Sequence, residues 1–207
     1  AEQASASEDA ARKVVEEEGI LFDNFMLVDG GEFLEDKLRV HLADHPYPAR
    51  NPDHNVADLK AQIAAGAKGV QEVHKMIDQF GLDVVHAYMR HVQDNAEEQV
   101  RRVIDVMQDG EFAYPTDEGA VIKVKISFNK ENRSAIVDFT GTSDQRPSNY
   151  NAPSAVARSA VLYVFRCLVD DKIPLNEGCL KPIEIIIPEG CMLAPKYPAA
   201  VVAGNVE

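Results

Sequence analysis

Two long apolar stripes separated by one glycine constrain the fold of this chain more than any other feature. Across residues 56–80 and again across 82–107, apolar side chains recur every three or four positions, which is the period of an amphipathic α-helix. Gly81 alone lies between the stripes, and so short a connection favours two antiparallel helices. The sequence therefore predicts a helical hairpin whose first helix has Asn55 as its N-cap and ends at Gly81.

The apolar period changes from helical to two-residue after Gly110. In AVIKVKISF (120–128) apolar and polar residues alternate, and RSAIVDF (133–139) follows the turn NKEN as a second strand. A helix that is apolar on nearly all sides is predicted near 153–169, followed by the strand PIEIIIP (182–188) and a last strand near 198–203. The predicted fold class is α+β: a long helical hairpin followed by a mixed, largely antiparallel sheet region with a buried helix.

The segment before the hairpin is predicted to hold shorter elements. Residues 7–18 form a charged helix, with Ser7 as a candidate N-cap and Gly19 as its end. A strand-like run closed by Asp-Gly-Gly follows it, and then a brief helix in EFLEDKLRVHLAD. A composition shift near residue 110 divides the chain into a mostly helical half (1–110) and a mixed half (111–207). Because the chain stops inside an apolar run, we expect it to be one slice of a larger domain.

The charge of the chain excludes two classes of partner. With 21 Lys and Arg against 34 Asp and Glu, the net charge is −13, whereas nucleic acids and anionic membranes attract clustered cations. No run of about 18 apolar residues is present, so no membrane span is predicted, and we expect a cytoplasmic protein. The three cysteines, Cys167, Cys179 and Cys191, match no zinc pattern and are expected to be buried reduced thiols.

The polar crossing, defined as residues 141–152, is the main candidate site. Its residues Thr142, Ser143, Asn149 and Asn151 supply neutral donors and acceptors just before Pro153, which suits the first turn of a helix. A helix start presents free N–H groups and a partial positive charge, so it can hold a phosphate or a carboxylate. Gly141 allows close approach of a ligand, and Arg158 adds a cation one turn and a half into the helix.

A second interpretation of the polar crossing stays open, because such residues also commonly satisfy a turn and cap the helix that follows. Two alternatives also remain for Asp58 and Gln62, which share one face of the first hairpin helix. With Asn55 they form either a polar strip against a neighbouring element or an ordinary solvated face. His41 and His45 are four residues apart, but Pro46 ends their helix, so no metal site is predicted from this chain.

Five ordered blocks resemble the hydantoinase B/5-oxoprolinase family, from about residue 20 to the last residue. They are ARNPDHNVADLKAQIAAGAKG, GLDVVHAYMRHVQDNAEEQVRR, VDFTGTSDQRPSNYNAPSAVARSAVLYVFRCLV, IPLNEGCLKPIEIIIPEGCMLAP and PAAVVAGNVE. Residues 1–18, which include the predicted charged helix, match the family less well. No phosphate-binding loop of the GxxxxGK[ST] type is present, so nothing here would bind and split ATP by itself.

The resemblance implies a division of labour. An A-type domain or subunit with an actin-like ATPase fold phosphorylates a cyclic amide, 5-oxoproline or a hydantoin, and the B-type part completes ring opening of the phosphorylated intermediate. ATP is then used by the A-type partner, and no cofactor is expected in this fragment. The metal-holding residues of carboxylase relatives would lie upstream of residue 1, which leaves a divalent metal open for the full-length protein. The isolated fragment is expected to be inactive.

The resemblance also favours a functional role for the polar crossing, which belongs to a distinctive block of the family. It implies that Asn149 and Asn151 are catalytic hydrogen-bonding residues. The substrate-binding candidates are Gly141, Thr142, Ser143, Arg158 and Asn205. For Asn205 the alternative interpretation is an ordinary residue at the end of a strand.

Two other functions remain as alternatives. The chain is either an assembly module that docks the A-type ATPase partner, or part of the α-type component of a related ketone carboxylase. Unpaired apolar edges predict self-association of the fragment into a homo-oligomer.

Overall fold

The structure is a computed structural model that describes residues 14–206. Its first helix is short and ends at Gly19. A β-hairpin with two-residue strands and a second helix follow. The predicted N-cap Ser7 lies outside the described residues. The Asp-Gly-Gly turn is present, with both glycines at positive φ. The elements in this part are α1 (Val15–Glu18), β1 (Val28–Asp29), β2 (Glu32–Phe33) and α2 (Glu35–Ala43).

The predicted helical hairpin is confirmed as α3 (Pro52–Phe80) and α4 (Leu82–Val106), joined by Gly81 alone. The predicted N-cap is wrong, because the cap is Asn51, whose side chain accepts a hydrogen bond from the backbone N–H of His54. Pro52 explains the earlier start, since its ring fixes a helical φ and it has no N–H that needs a partner in the first turn.

The two hairpin helices differ sharply in burial. Of the 29 residues of α3, only Val56 is buried. By contrast, α4 buries Val85 near its start and four residues in its second half. The hairpin therefore meets the rest of the described molecule mainly through the second half of α4, and its tip is exposed.

A four-stranded sheet has the order β3-β4-β5-β6. The first two pairings are antiparallel and the β5–β6 pairing is parallel. A parallel pair needs a long crossover connection, and the crossover here contains the polar crossing and helix α5. The strands are β3 (Gly110–Pro115), β4 (Val121–Asn129), β5 (Ser134–Asp138) and β6 (Ile183–Ile186), and the helix is α5 (Ser154–Leu168).

Strand β3 is absent from the sequence prediction. It lies at the edge of the sheet and all six of its residues are exposed. The run GEFAYP has no buried face that would impose a regular two-residue pattern, so pairing with β4 decides its conformation.

The main hydrophobic core joins α4 to the sheet. Val100 and Ile104 of α4 pack in one cluster with Val137 of β5 and Phe165 of α5. The helical and mixed halves thus share a core, and the division at residue 110 stays a prediction. Helix α5 buries one face only, because Ala157, Val161 and Phe165 are its buried residues while Tyr163 is 66% exposed.

The strand predicted near 198–203 is wrong. Residues Val202–Val206 form a short helix, α6. The Glu18 carboxylate accepts hydrogen bonds from the backbone N–H groups of Val201, at 2.9 Å, and Val202, at 2.7 Å. These bonds satisfy free donors at the start of α6 from a residue far away in the sequence, which the local apolar pattern does not reveal.

Two of the three cysteines are buried, as predicted, and Cys167 is exposed. All three are free thiols. Within residues 14–206, no helix combines the length and the apolar character needed to cross a bilayer.

Candidate functional site

A cleft of ≈ 590 Å³ lies where the turn between β3 and β4, the polar crossing, the start of α5 and helix α6 meet. We call it the Asn151 cleft. Its walls are largely apolar, and its charged lining residues are Asp117, Glu118 and Arg146. The remaining lining residues are Tyr114, Thr116, Ala120, Ile122, Phe139, Tyr150, Asn151, Ala152, Val156, Ala157, Ala160, Met192, Leu193, Ala203 and Gly204.

The side chain of Asn151 is fully buried and is used for contacts within the chain. Its Nδ2 donates to the carbonyl oxygens of Ser148, at 2.8 Å, and Ala200, at 2.9 Å. It also donates to the carbonyl of Arg146 at 3.2 Å, and Oδ1 accepts from the Arg146 N–H at 2.6 Å. The Asn151 carboxamide therefore closes the polar crossing and ties it to the segment before α6, and its catalytic role stays a prediction.

The other predicted catalytic residue, Asn149, is only 2% exposed and does not line the cleft. The structure thus places Asn149 inside the polar crossing rather than at the cleft, and its catalytic role stays a prediction.

Thr142 and Ser143 continue the sheet beyond β5. The Thr142 hydroxyl accepts from the N–H of Lys123 at 3.0 Å and donates to its carbonyl at 3.1 Å. The Ser143 hydroxyl accepts from the N–H of Val121 at 2.9 Å. Gly141 has φ +92, a conformation that favours glycine. Thr142 and Ser143 thus hydrogen-bond to β4, and none of these three predicted substrate contacts lines the cleft.

The last two predicted substrate contacts, Arg158 and Asn205, are exposed and lie outside the cleft lining. Arg158 projects from the outer side of α5, and Asn205 from α6. Of the seven predicted site residues, the structure places only Asn151 at the cleft.

Arg146 is the residue that the sequence analysis missed. It is the single cation among the described residues that line the cleft. Its Nη2 donates to the carbonyl oxygen of Glu118 at 3.4 Å, which is near the upper limit for such a bond. Its position inside the polar crossing, five residues before Asn151, was a usable signal, because a guanidinium forms strong hydrogen bonds with anionic groups.

The wall formed by α6 approaches the polar crossing closely at Gly204. A Cβ atom there would lie 2.5 Å from the carbonyl oxygen of Asn151, which no real side chain tolerates. Gly204 therefore permits backbone contact between α6 and the polar crossing. The Asn151–Ala200 bond reinforces this contact.

The start of the polar crossing is held by an ionised carboxylate. Thr140 donates through its backbone N–H to Oδ1 of Asp138 at 2.8 Å. Hydrogen bonds from the side chain and backbone of Thr140 lower the pKa of Asp138. An acceptor-only carboxylate at the end of β5 thus fixes the turn that leads into the polar crossing.

The other candidates from the sequence do not form a site. The Nδ1 of His54 lies 3.2 Å from Oδ2 of Asp58, and both side chains are exposed, as is typical of a solvated helix face. The Nε2 of His41 lies 3.0 Å from the carbonyl oxygen of Leu21, and its ring stacks on Phe25. Among residues 14–206, no three His, Cys, Asp or Glu side chains are grouped closely enough to hold a metal ion.

Comparison with known protein families identifies a match along nearly the whole chain. The description "Hydantoinase B/oxoprolinase" matches residues 3–207. The chain is 39% identical to a 5-oxoprolinase of Dictyostelium discoideum over 94% of its length, and 39% identical to 5-oxoprolinase 1 of Arabidopsis thaliana over 94%. It spans 16% and 17% of those two relatives.

Two solved structures share the fold, each with a TM-score of 0.74. One is an ATP-dependent caprolactamase from Pseudomonas jessenii, 21% identical, and the likeness covers 95% of this chain and 34% of that one. The other is a nucleotide-free acetone carboxylase, 13% identical, with 94% and 28% covered. At these identities the likeness is one of fold.

Proposed function

This chain belongs to the hydantoinase B/oxoprolinase family, and from that premise we propose that it is part of the B-type component of an ATP-dependent cyclic amide hydrolase. The family resemblance predicted from the sequence is thereby confirmed. The observation that carries the proposal is the 39% identity to a 5-oxoprolinase along 94% of this chain. Since the chain spans 16% of that relative, the activity belongs to the intact protein.

The chemistry that we propose proceeds in two parts. The A-type partner transfers a phosphoryl group from ATP to the amide oxygen. Water then adds to the activated carbon, the C–N bond breaks, and the nitrogen takes a proton, which leaves an acyl phosphate and an open ring. A second water releases phosphate and a carboxylate. An enclosed site favours these steps, because the activated amide must meet a placed water rather than bulk solvent.

The Asn151 cleft is the part of this chain that we assign to the opening ring. Its apolar walls, among them Ile122, Phe139 and Met192, suit the methylene groups of a lactam. Arg146 supplies a cation at a place where negative charge is bound or develops. Asn151 and Gly204 hold the polar crossing against α6, so the cleft keeps its shape.

A blocking substitution tests this assignment in the intact protein with its A-type partner. Ala160 is exposed and lines the cleft, whereas its neighbour Ser159 is exposed and does not. We expect Ala160→Trp to abolish release of glutamate from 5-oxoproline and Ser159→Trp to leave it unchanged. ADP and glutamate are measured together. Full glutamate release by the Ala160→Trp protein would place the ring-opening site elsewhere.

Assembly with the A-type partner is a second candidate function, and a specific observation favours it. The hairpin groove, of ≈ 750 Å³, runs between the end of α3 and the start of α4. Phe80 and Tyr88 line it and are 55% and 67% exposed. We propose that a segment of the A-type domain or subunit, presenting an apolar helix face, occupies this groove. Its lining residues, none of them charged, are Met76, Phe80, Val84, Val85, Tyr88, Met89, Val92, Gln93 and Asn176.

The ketone carboxylase alternative has less support, because the carboxylase likeness is 13% identical and concerns the fold. Substrate tests separate the two chemistries: glutamate release from 5-oxoproline marks the hydrolase, and bicarbonate incorporation into a ketone marks the carboxylase. The cytoplasmic location and the homo-oligomer stay predictions.

A further inference from the structure

The guanidinium of Arg146 has fewer partners than an enclosed cation requires. Within residues 14–206, its Nε is shielded from solvent and has no hydrogen-bond partner. Asp117 and Glu118 line the same cleft, yet among the described residues no carboxylate forms an ion pair with Arg146. A shielded, charged donor without an acceptor is costly. The presence of such a donor at the cleft points to an acceptor that a ligand provides.

The backbone of Arg146 is held in place by the buried carboxamide of Asn151. Oδ1 of Asn151 accepts from the Arg146 N–H at 2.6 Å, and Nδ2 donates to the Arg146 carbonyl at 3.2 Å. Both main-chain polar groups of one residue are thus fixed by one side chain. The guanidinium therefore starts from a fixed Cα, which lowers the entropy lost when it binds a ligand.

The surroundings of Arg146 select the kind of anion. The planar guanidinium matches a carboxylate through two parallel hydrogen bonds. Asp117 and Glu118 place two negative side chains in the same cleft, and they disfavour a doubly charged group beside Arg146. Ile122 and Leu193 contribute apolar walls. At Arg146 itself, a single carboxylate on a small apolar ring fits this combination better than a dianionic phosphate.

We propose that Arg146 is the specificity-determining residue that binds the carboxylate of an anionic cyclic amide, with Asn151 as its positioning residue. The assignment rests on the proposed cyclic amide hydrolase function. Lactams differ in this respect: 5-oxoproline carries one carboxylate on its ring, and caprolactam and 2-pyrrolidinone carry none. A cation at the cleft therefore favours lactams that carry a carboxylate over lactams that carry none.

The test compares two substrates with the same five-membered ring in the intact protein with its A-type partner. For Arg146→Gln, we expect KM for 5-oxoproline to rise about 10- to 100-fold, the range for losing a hydrogen bond to a charged group. The kcat/KM for 2-pyrrolidinone should change less than about twofold. Arg102→Gln is the matched control, because Arg102 is exposed and outside the cleft, and it should change neither value.

A binding measurement gives a readout that does not depend on turnover. Calorimetric titration of 5-oxoproline into the intact protein without ATP should show the same loss of affinity for Arg146→Gln. Arg146→Lys keeps the charge and should recover part of the affinity. An Arg146→Lys protein that binds 5-oxoproline no better than the Arg146→Gln protein would overturn recognition by charge.

The outcomes separate this proposal from the proposed function. A wild-type protein that opens no lactam ring with ATP contradicts the function, whereas loss of 5-oxoproline binding in Arg146→Gln still supports the inference. An active wild type overturns the inference if Arg146→Gln leaves KM for 5-oxoproline unchanged. Equal losses for both substrates also overturn it, because recognition would then not involve the carboxylate.

Discussion

The polar crossing buries polar side chains, whereas the tip of the helical hairpin exposes apolar ones. Asn149 and Asn151 are 2% and 0% exposed. Phe80 and Tyr88 on the hairpin are 55% and 67% exposed. Both regions depart from the usual relation between residue type and burial, and they depart from it in opposite directions.

This difference indicates whether each region makes its contacts within the chain or with another molecule. Buried polar groups need hydrogen-bond partners, and Asn151 finds them inside its own chain, so its polarity serves the fold. Apolar surface left in water costs about 25 cal/mol per Å², and contiguous exposed patches commonly mark interfaces. The hairpin groove is therefore the region directed outward, and within the polar crossing only Arg146 presents a cation to the cleft.

The largest expected effect is in the polar crossing. Asn151→Ala removes four hydrogen bonds and leaves buried backbone groups without partners. We expect the free energy of unfolding to fall by about 3 kcal/mol or more, measured by chemical denaturation of the intact protein. Asn205→Ala, at an exposed site, should stay within about 0.5 kcal/mol. A loss below about 1 kcal/mol for Asn151→Ala would contradict a structural role.

Two glycines contrast the regions directly. At Gly204 an added Cβ meets the backbone of Asn151, so Gly204→Ala should lower the free energy of unfolding by about 1–3 kcal/mol. At Gly66, inside α3, a Cβ meets nothing within 4 Å, so Gly66→Ala should raise it by about 0.5–1 kcal/mol through helix propensity. Effects of the same sign at both positions would break the contrast.

The hairpin groove should affect assembly more than folding. Met89 is 46% exposed and lines the groove, so Met89→Asp should change the free energy of unfolding by less than about 0.5 kcal/mol. Affinity for the A-type partner should drop at least about tenfold, or ~1.4 kcal/mol, in a titration of the separated components. His86→Asp, on the same helix but outside the groove, is the control. Unchanged affinity for Met89→Asp would remove the groove from the interface.

The smallest expected effect concerns the ion pairs that connect α4 to the turn between β4 and β5. Arg133 donates to Glu98, with N–O distances of 3.1 Å and 3.2 Å. These bonds, followed by one from Arg102, lower the pKa of Glu98 below its usual value of 4.5. A lowered folded-state pKa stabilises the protein above pH 4.5, and the contribution is lost as the pH falls through the lowered value.

The measurement is the pH dependence of unfolding for wild type and Glu98→Gln. The wild type should be the more stable above pH 4.5, and the difference should shrink as the pH falls. In an Arg133→Gln background the difference should largely disappear, because the main cause of the pKa shift is gone. A difference that grows on acidification would show that Glu98 is not stabilised as a carboxylate.

The sequence was a good guide where a regular apolar period runs along an element and a breaker residue ends it. The stripes of α3 and α4, the glycine between them and the alternation in β4 were all predicted correctly. Strand β3 and helix α6 were not, because β3 has no buried residue and the start of α6 is held by Glu18. The polar crossing was identified as a segment, and the catalytic and binding roles of its residues stay predictions.

The sequence by itself determined the family, the α+β class and the place of the helical hairpin, because repeating patterns and ordered motifs are properties of the chain alone. Only the tertiary structure decided which polar side chains face inward and which cation lines the cleft. Asn151 and Arg146 are five residues apart in one polar segment, and their positions in the sequence do not show which of them faces the interior. The carbonyl of Ala200 accepts a hydrogen bond from Asn151, and contacts of that kind between residues distant in sequence form only when the chain is folded.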